Sequence, residues 1–160
     1  MDVYVSGSIT HIPKQEWGIY EKIGEVIEDF GLSAYIPHIH TPQTINQHID
    51  TIVNSTNDLD GFHKDVFSDN VSRVEASKLI IAEVSNPSTG SGIELGMALK
   101  AGKPIICLAN KNAVVTPLVI GASQLGLMQI IRYESEKDAL YQLKNILETK
   151  FVHLTEETIK

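Results

Sequence analysis

Residues 79–100 read LIIAEVSNPSTGSGIELGMALK. The first six are almost wholly apolar, as a central parallel strand must be when helices cover both its faces. Small and polar residues follow. From about residue 93 to 101 the pattern turns helical, until Gly102 stops it. One carboxylate, Glu94, stands among the glycines. A buried strand, a glycine-rich turn and a helix form the repeating unit of doubly wound sheets.

The unit recurs on both sides. Residues 3–8 are short, β-branched and aromatic, and end at Gly7-Ser8. Residues 13–30 carry Trp17, Tyr20, Ile23, Ile27 and Phe30 at steps of three and four, the stripe of an amphipathic helix. Pro13 suits its first turn and Gly31 its stop. Residues 33–36 suit a short second strand. Residues 37–61 are irregular and rich in His, Thr, Asn and Asp, and loops of that length are usually functional or partly helical. A helix over 63–77 follows, with Val66, Phe67, Val71 and Val74 as its apolar side. Beyond the central unit come a strand over 104–109, a helix over 115–122, a strand over 128–132 and a helix over 134–150. The expected fold is therefore α/β: a Rossmann-like (flavodoxin-like), doubly wound, mostly parallel five-stranded sheet with helices on both faces. Residues 1–150 form one domain and 151–160 a C-terminal tail. In such sheets ligands bind at the carboxyl ends of the strands. The turns at Gly7-Ser8-Ile9-Thr10 and at 86–92 would face one crevice.

Bulk properties narrow the function. The chain has 160 residues, is 42% hydrophobic and carries a formal charge of −7. That charge argues against a nucleic-acid partner, which calls for a basic patch. It leaves room for a small phosphorylated ligand held by backbone N–H groups. No apolar run reaches bilayer length, so no membrane partner is expected. The strand-like start DVYVSGSI lacks the basic and apolar regions of a secretory signal. The single cysteine, Cys107 within PIICLA, reads as a small buried hydrophobe, and a cytoplasmic setting fits.

The glycine turn is not a dinucleotide fingerprint, because Gly90, Gly92 and Gly96 have the wrong spacing and follow a middle strand. Nor is it a P-loop, since no Gly-Lys-Ser/Thr is present. Ser88, Thr89, Gly90, Ser91 and Gly92 would offer hydroxyl and N–H groups to a phosphate or sugar. Glu94 would lie in the first turn of the helix, where the dipole favours its ionised form. A carboxylate beside a sugar-phosphate pocket suits chemistry at an anomeric carbon, where cleavage develops positive charge on the sugar. The plainer alternative is that Glu94 only complements the helix dipole on the surface.

Three segments carry a resemblance: VYVSGSI at the start, ASKLIIAEVSNPSTGSGIELGMAL in the middle and VVTPLVIGA near residues 114–122. They resemble the nucleoside 2-deoxyribosyltransferase family, and within it the branch of 2'-deoxynucleoside 5'-monophosphate N-glycosidases. The resemblance implies that Glu94 is the catalytic carboxylate and that Ser88, beside Gly90, contacts the phosphate. It places Tyr4 near the sugar, with Gly7, Ser8 and Ile9 lining the same pocket. It implies a homodimer in which Thr116 completes the partner's site, a nucleotide or nucleoside substrate, and neither metal nor organic cofactor. Asn70 stands where the family commonly has an aspartate, with Asp69 one residue earlier, so either residue positions the substrate. Thr10 replaces an arginine common in the phosphate-dependent branch, and Ile93 replaces an aromatic before the glutamate. Base exchange by a deoxyribosyltransferase is the alternative activity, and a nucleotide-binding sensor that lost its chemistry at Asn70 a further one.

Other residues have less pointed readings. His38, His40, His48 and His63 lie in or beside the long loop. Solvated loop histidines are a better reading than a zinc site, given His-x-His with no cysteine partner. His63 is the one that suits a pocket role, because it begins the helix holding Asp69 and Asn70. Glu83 ends the apolar strand, either as a second pocket carboxylate or paired with a neighbouring polar group.

Overall fold

The computed structural model describes residues 1–9, 12–40 and 61–151. Thr10, His48 and the tail beyond Phe151 lie outside the described residues. The elements run β1 (Val3–Gly7), a single 3-10 turn (Lys14–Glu16), α1 (Gly18–Asp29), β2 (Ala34–Tyr35), α2 (Pro37–His40) and α3 (Phe62–Ala76). They continue with β3 (Leu79–Glu83), α4 (Thr89–Lys100), β4 (Ile105–Asn110), α5 (Pro117–Gln124), β5 (Gln129–Tyr133) and α6 (Glu136–Lys150). The five strands take the order β2-β1-β3-β4-β5, and every pairing is parallel. The expected doubly wound sheet is thus present.

Strand alternation divides the core in two. Val3, Val5, Leu79, Ile81, Ile106 and Leu108 face α1 and α6, meeting Ile23, Ile27, Leu143 and Leu147. Tyr4, Ile80, Ala82, Ile105 and Cys107 face the other way, toward Val74 of α3 and Leu95 and Ala98 of α4. β3 is buried at all five positions, which is why its sequence shows no polar alternation. Cys107 lies within this core as a free, buried thiol. No helix among the described residues is long and apolar enough to cross a membrane.

Two helix starts differ most from expectation, each for a local reason, while α5 and α6 begin two residues later than expected. Pro13 precedes only the 3-10 turn, and α1 proper begins at Gly18. More consequentially, α4 begins at Thr89, four residues before the expected start. The Ser88 side chain caps it by accepting the Ser91 N–H at 3.2 Å. The glycines that look like a turn are thus its first turns, and among the described glycines left-handed φ is confined to Gly31, Gly61, Gly102 and Gly126. Gly31 (φ 73°) and Gly102 (φ 67°) do end their helices in that conformation. Along α3 only Val74 of the expected apolar side is fully buried, while Phe67 is 55% exposed.

Candidate active site

β1 and β3 are neighbours, yet their chains leave the sheet toward opposite faces, β1 to α1 and β3 to α4. This divergence opens the crevice where doubly wound sheets bind ligands. The exit from β1 is fixed from beneath. Tyr20 of α1 donates its hydroxyl to the Ser8 carbonyl at 2.8 Å. A Cβ on Gly7 would lie 2.2 Å from the Tyr20 ring, so only glycine lets the strand pass this close.

Glu94, sixth residue of α4, reaches back over the end of β1. Tyr4 donates its hydroxyl to Glu94 Oε1 at 2.8 Å, and Ser6 donates to Oε2 at 2.5 Å. The two donors are two residues apart on β1 and therefore point to the same face. Asn70 of α3 adds an amide donor to Oε1 at 3.3 Å. Burial pushes the Glu94 carboxyl above its ordinary value, while the Ser6 and Tyr4 hydrogen bonds pull the other way. Burial also raises the Tyr4 phenol strongly, with the Glu94 charge adding to it. Tyr4 accordingly holds its proton and acts as a fixed donor. Glu94 is in the second turn, not the first, so side-chain donors rather than the helix end hold the carboxylate.

A second layer supports this one. The Tyr4 ring stacks on Tyr35 of β2, with centroids 5.6 Å apart and planes 17° from parallel. Tyr35 donates its hydroxyl to Asp69 Oδ2 at 2.8 Å, and the Arg73 guanidinium lies over its ring at 4.9 Å and 3.4 Å from Asp69 Oδ1. Of the two neighbours left open by the sequence, Asn70 touches Glu94 while Asp69 is engaged one shell behind. His40 packs on the outer side of Tyr35, its ring 5.7 Å away, and accepts the Ile36 N–H through Nδ1.

The remaining residues fall around this centre. Ser88 caps α4, and the Gly92 N–H is taken by the Ser88 carbonyl at 3.0 Å. The free donors of the first turn are therefore the amides of Thr89 and Gly90, fewer than the turn had promised. Side chains built at Gly92 or Gly96 would meet nothing within 4 Å, and one at Gly90 only the Ser88 hydroxyl at 3.8 Å. The hydroxyls of Ser8, after β1, and Ser91, in α4, are buried and have no hydrogen-bond partner among the described residues. Ile9 is half-buried beside Ser8. His63 is exposed at the start of α3, two turns before Asn70 and on the same side of the helix. Thr116 is the exposed N-cap of α5. His38 packs against Trp17 and Tyr20, away from Glu94, and its burial lowers its pKa. Among the described residues no three of His, Cys, Asp and Glu come together as metal ligands.

Sequence reasoning missed Ser6 and Tyr35. Ser6 was legible in principle, since it shares Tyr4's side of a strand, whereas Tyr35 required knowing that β2 pairs with β1 in register Tyr4–Tyr35.

A profile described as nucleoside 2-deoxyribosyltransferase matches residues 3–147. The chain belongs to the nucleoside 2-deoxyribosyltransferase family. Within reach of this family, the chain is 30% identical over 159 residues to a 5-hydroxymethyl-dUMP N-hydrolase of Danio rerio, covering 97% of this chain and 99% of that one. The fold resembles that of a CMP N-glycosidase of Clostridium botulinum, with a TM-score of 0.61, 21% identity and coverage of 89% and 98%. It also resembles a 2-deoxyribosyltransferase of Bacillus psychrosaccharolyticus, with a TM-score of 0.58, 14% identity and coverage of 86% and 89%. These last two likenesses concern the fold.

Proposed function

We propose that this chain is a hydrolase that cleaves the N-glycosidic bond of a 2'-deoxynucleoside 5'-monophosphate, with Glu94 as the nucleophile. The observation that carries the reading is the Glu94 carboxylate, set at the strand ends and gripped by Tyr4, Ser6 and Asn70. Three donors orient it and favour its charged form in a site whose burial disfavours charge. In the first step a Glu94 oxygen bonds to C1' of the sugar as the C1'–N bond breaks. The bonding pair leaves with the base, which takes a proton from solvent. In the second step water adds to C1' and loses a proton, the ester bond breaks, and the Glu94 carboxylate is restored. The products are free base and deoxyribose 5-phosphate. Asn70 cannot shuttle a proton, so its part is to orient Glu94 and the sugar. Asp69 holds Tyr35 behind them.

The phosphate end lies at the start of α4, where Ser88 and the Thr89 and Gly90 amides meet the helix dipole and Gly90 and Gly92 leave open space. Ser8 and Ile9 border it from β1, and the buried unpartnered hydroxyls of Ser8 and Ser91 suit a polar ligand. His63 stands at the base side. A second copy of the chain completes the site through Thr116. Its neighbours Val114 and Leu118 are 92% and 84% exposed, and Leu125 and Leu127 extend the apolar surface, more than a lone subunit would leave uncovered.

The test is chromatography of the purified protein with each common nucleoside 5'-monophosphate and its 2'-deoxy form, with and without an acceptor base, beside Glu94→Ala. Release of base by the wild type alone is expected. A new nucleoside appearing with the acceptor would make the chain a deoxyribosyltransferase. No turnover together with ligand-induced stabilisation would make it a sensor.

A further inference from the structure

The least solvent-exposed carboxylate among the described residues is Glu83, 4% exposed, at the end of β3 and on the face of the sheet opposite Glu94. The reaction above does not use it. Its partners all belong to the ends of strands. Ser85 gives it both its backbone N–H, at 3.2 Å to Oε1, and its hydroxyl. Tyr133, last residue of β5, donates at 3.0 Å to the same oxygen. The Ser85 hydroxyl oxygen in turn accepts the Asn110 N–H from the end of β4 at 2.7 Å. The segment leaving β3 is thereby tied to β4 and β5, just before it reaches Ser88 and the cap of α4.

On the α1 side this segment borders open space. A cavity of about 390 Å³ lies there, walled by Tyr20, Glu83, Ser85, Asn86, Tyr133 and Glu136. Val84 is held by the core on the α4 side and by its N–H to the Leu108 carbonyl at 2.8 Å, so on the cavity side the chain from Ser85 to Ser88 relies on its hydrogen bonds. A carboxylate suits the task because it accepts only, and every group aimed at it here donates. Charge assistance makes those bonds stronger than an amide could provide.

We infer that Glu83 is a positioning residue for the phosphate end of the site: by holding Ser85 it sets where the first turn of α4 meets its ligand. The inference rests on the proposed reading of that turn as the phosphate site. It separates two carboxylates by role, Glu94 at the anomeric carbon and Glu83 under the loop.

The test compares wild type, Glu83→Gln and Ser85→Ala by steady-state kinetics on the best 2'-deoxynucleoside 5'-monophosphate and by amide hydrogen exchange. Loss of charge-assisted anchoring should raise KM about fivefold or more and leave kcat within about twofold. Exchange at the hydrogen-bonded amides of Ser85, Ser91 and Gly92 should quicken about tenfold while β1 and β4 up to Ala109 stay unchanged. Ser85→Ala, which leaves the buried charge partly paired, should move both readouts the same way and keeps the test valid if Glu83→Gln folds poorly. Wild-type KM and exchange in both variants would overturn the inference. So would losses in kcat, KM and exchange that spread evenly over all strands, which mark a residue serving only the fold. If the wild type releases no base, the proposed reaction fails on its own. Exchange at Ser85, Ser91 and Gly92 and calorimetric binding of ribose 5-phosphate then decide the case for Glu83.

Discussion

Glu94 and Glu83 are both carboxylates near the carboxyl ends of the strands, and both are pushed above the ordinary carboxyl value by burial. They differ in where their partners come from. Glu94 gathers donors from β1 and α3, 90, 88 and 24 residues away in sequence, and it is only half-buried beside the crevice. Glu83 is served by Ser85, two residues on, and by Tyr133 from the neighbouring edge of the sheet. A carboxylate assembled from distant elements and left open to a crevice is placed for a ligand. One closed off by its own loop is placed for the loop. On the proposed reading, this chain uses the same chemical group for reaction on one face and for support on the other.

Several substitutions would break or sharpen that contrast. The largest effect is expected at Glu94, where replacement by alanine should lower base release by about a thousandfold or more, as for other covalent nucleophiles. Assay of released base over long incubations measures it. Tyr4→Phe should follow, with kcat reduced roughly ten- to a hundredfold, because a fixed donor to the reacting carboxylate is lost. Steady-state kinetics at neutral pH would show it, and an unchanged kcat would mean that Tyr4 merely packs.

The pH dependence is a subtler probe. A nucleophilic Glu94 must be ionised to react, and burial raises its pKa, so on the proposed mechanism the acid limb of kcat/KM should lie above the ordinary carboxyl value of 4.5. Ser6→Ala removes a bond that lowers that pKa and should shift the limb up by about one unit, with Ser6→Cys falling between. The groups facing Glu94 are Tyr4 and Ser6 on β1 and Asn70 on α3, with Tyr35 on β2 and Asp69 and Arg73 on α3 one layer behind. Of these, Asp69 and Arg73 pair with each other at 3.4 Å.

The smallest effect concerns stability. A raised folded pKa means that Glu94 binds its proton more tightly folded than unfolded. Its contribution therefore favours the fold at acid pH and declines as pH climbs from 4.5 through the raised value. Glu94→Gln removes the buried charge, and the Ser6 hydroxyl can turn to accept from the new amide. This variant should be inactive yet more stable than wild type by about 1 kcal/mol at pH 7. Denaturant melts at pH 5 and pH 7 would measure it, and the advantage should shrink at the lower pH.

Much of this was legible in the sequence, and what was not has physical causes. The all-apolar LIIAEV announced a strand covered on both faces, and the sheet follows from it and its repeats. Glu94, Tyr4 and Asn70 were picked out before their contact was visible. The glycine-rich stretch was misread as a turn because Gly90 and Gly92 weaken helix propensity, while the Ser88 cap that outweighs them acts through one hydrogen bond. Ser6 escaped notice because an isolated serine in a strand carries no signal until a carboxylate from another element lands on it. Glu83's partners could not be read because Tyr133 comes from 50 residues away.

The most direct test of the account is the chemical fate of Glu94 during turnover. The wild type would be mixed with a 2'-fluoro-substituted nucleotide, whose electron-withdrawing fluorine destabilises positive charge on the sugar and slows breakdown of an ester at C1'. After acid quenching, intact mass and peptide mapping would locate any adduct. The account predicts a sugar-phosphate adduct on the peptide containing Glu94, absent in Glu94→Ala. An adduct on another residue, or base release by Glu94→Ala at the wild-type rate, would contradict it.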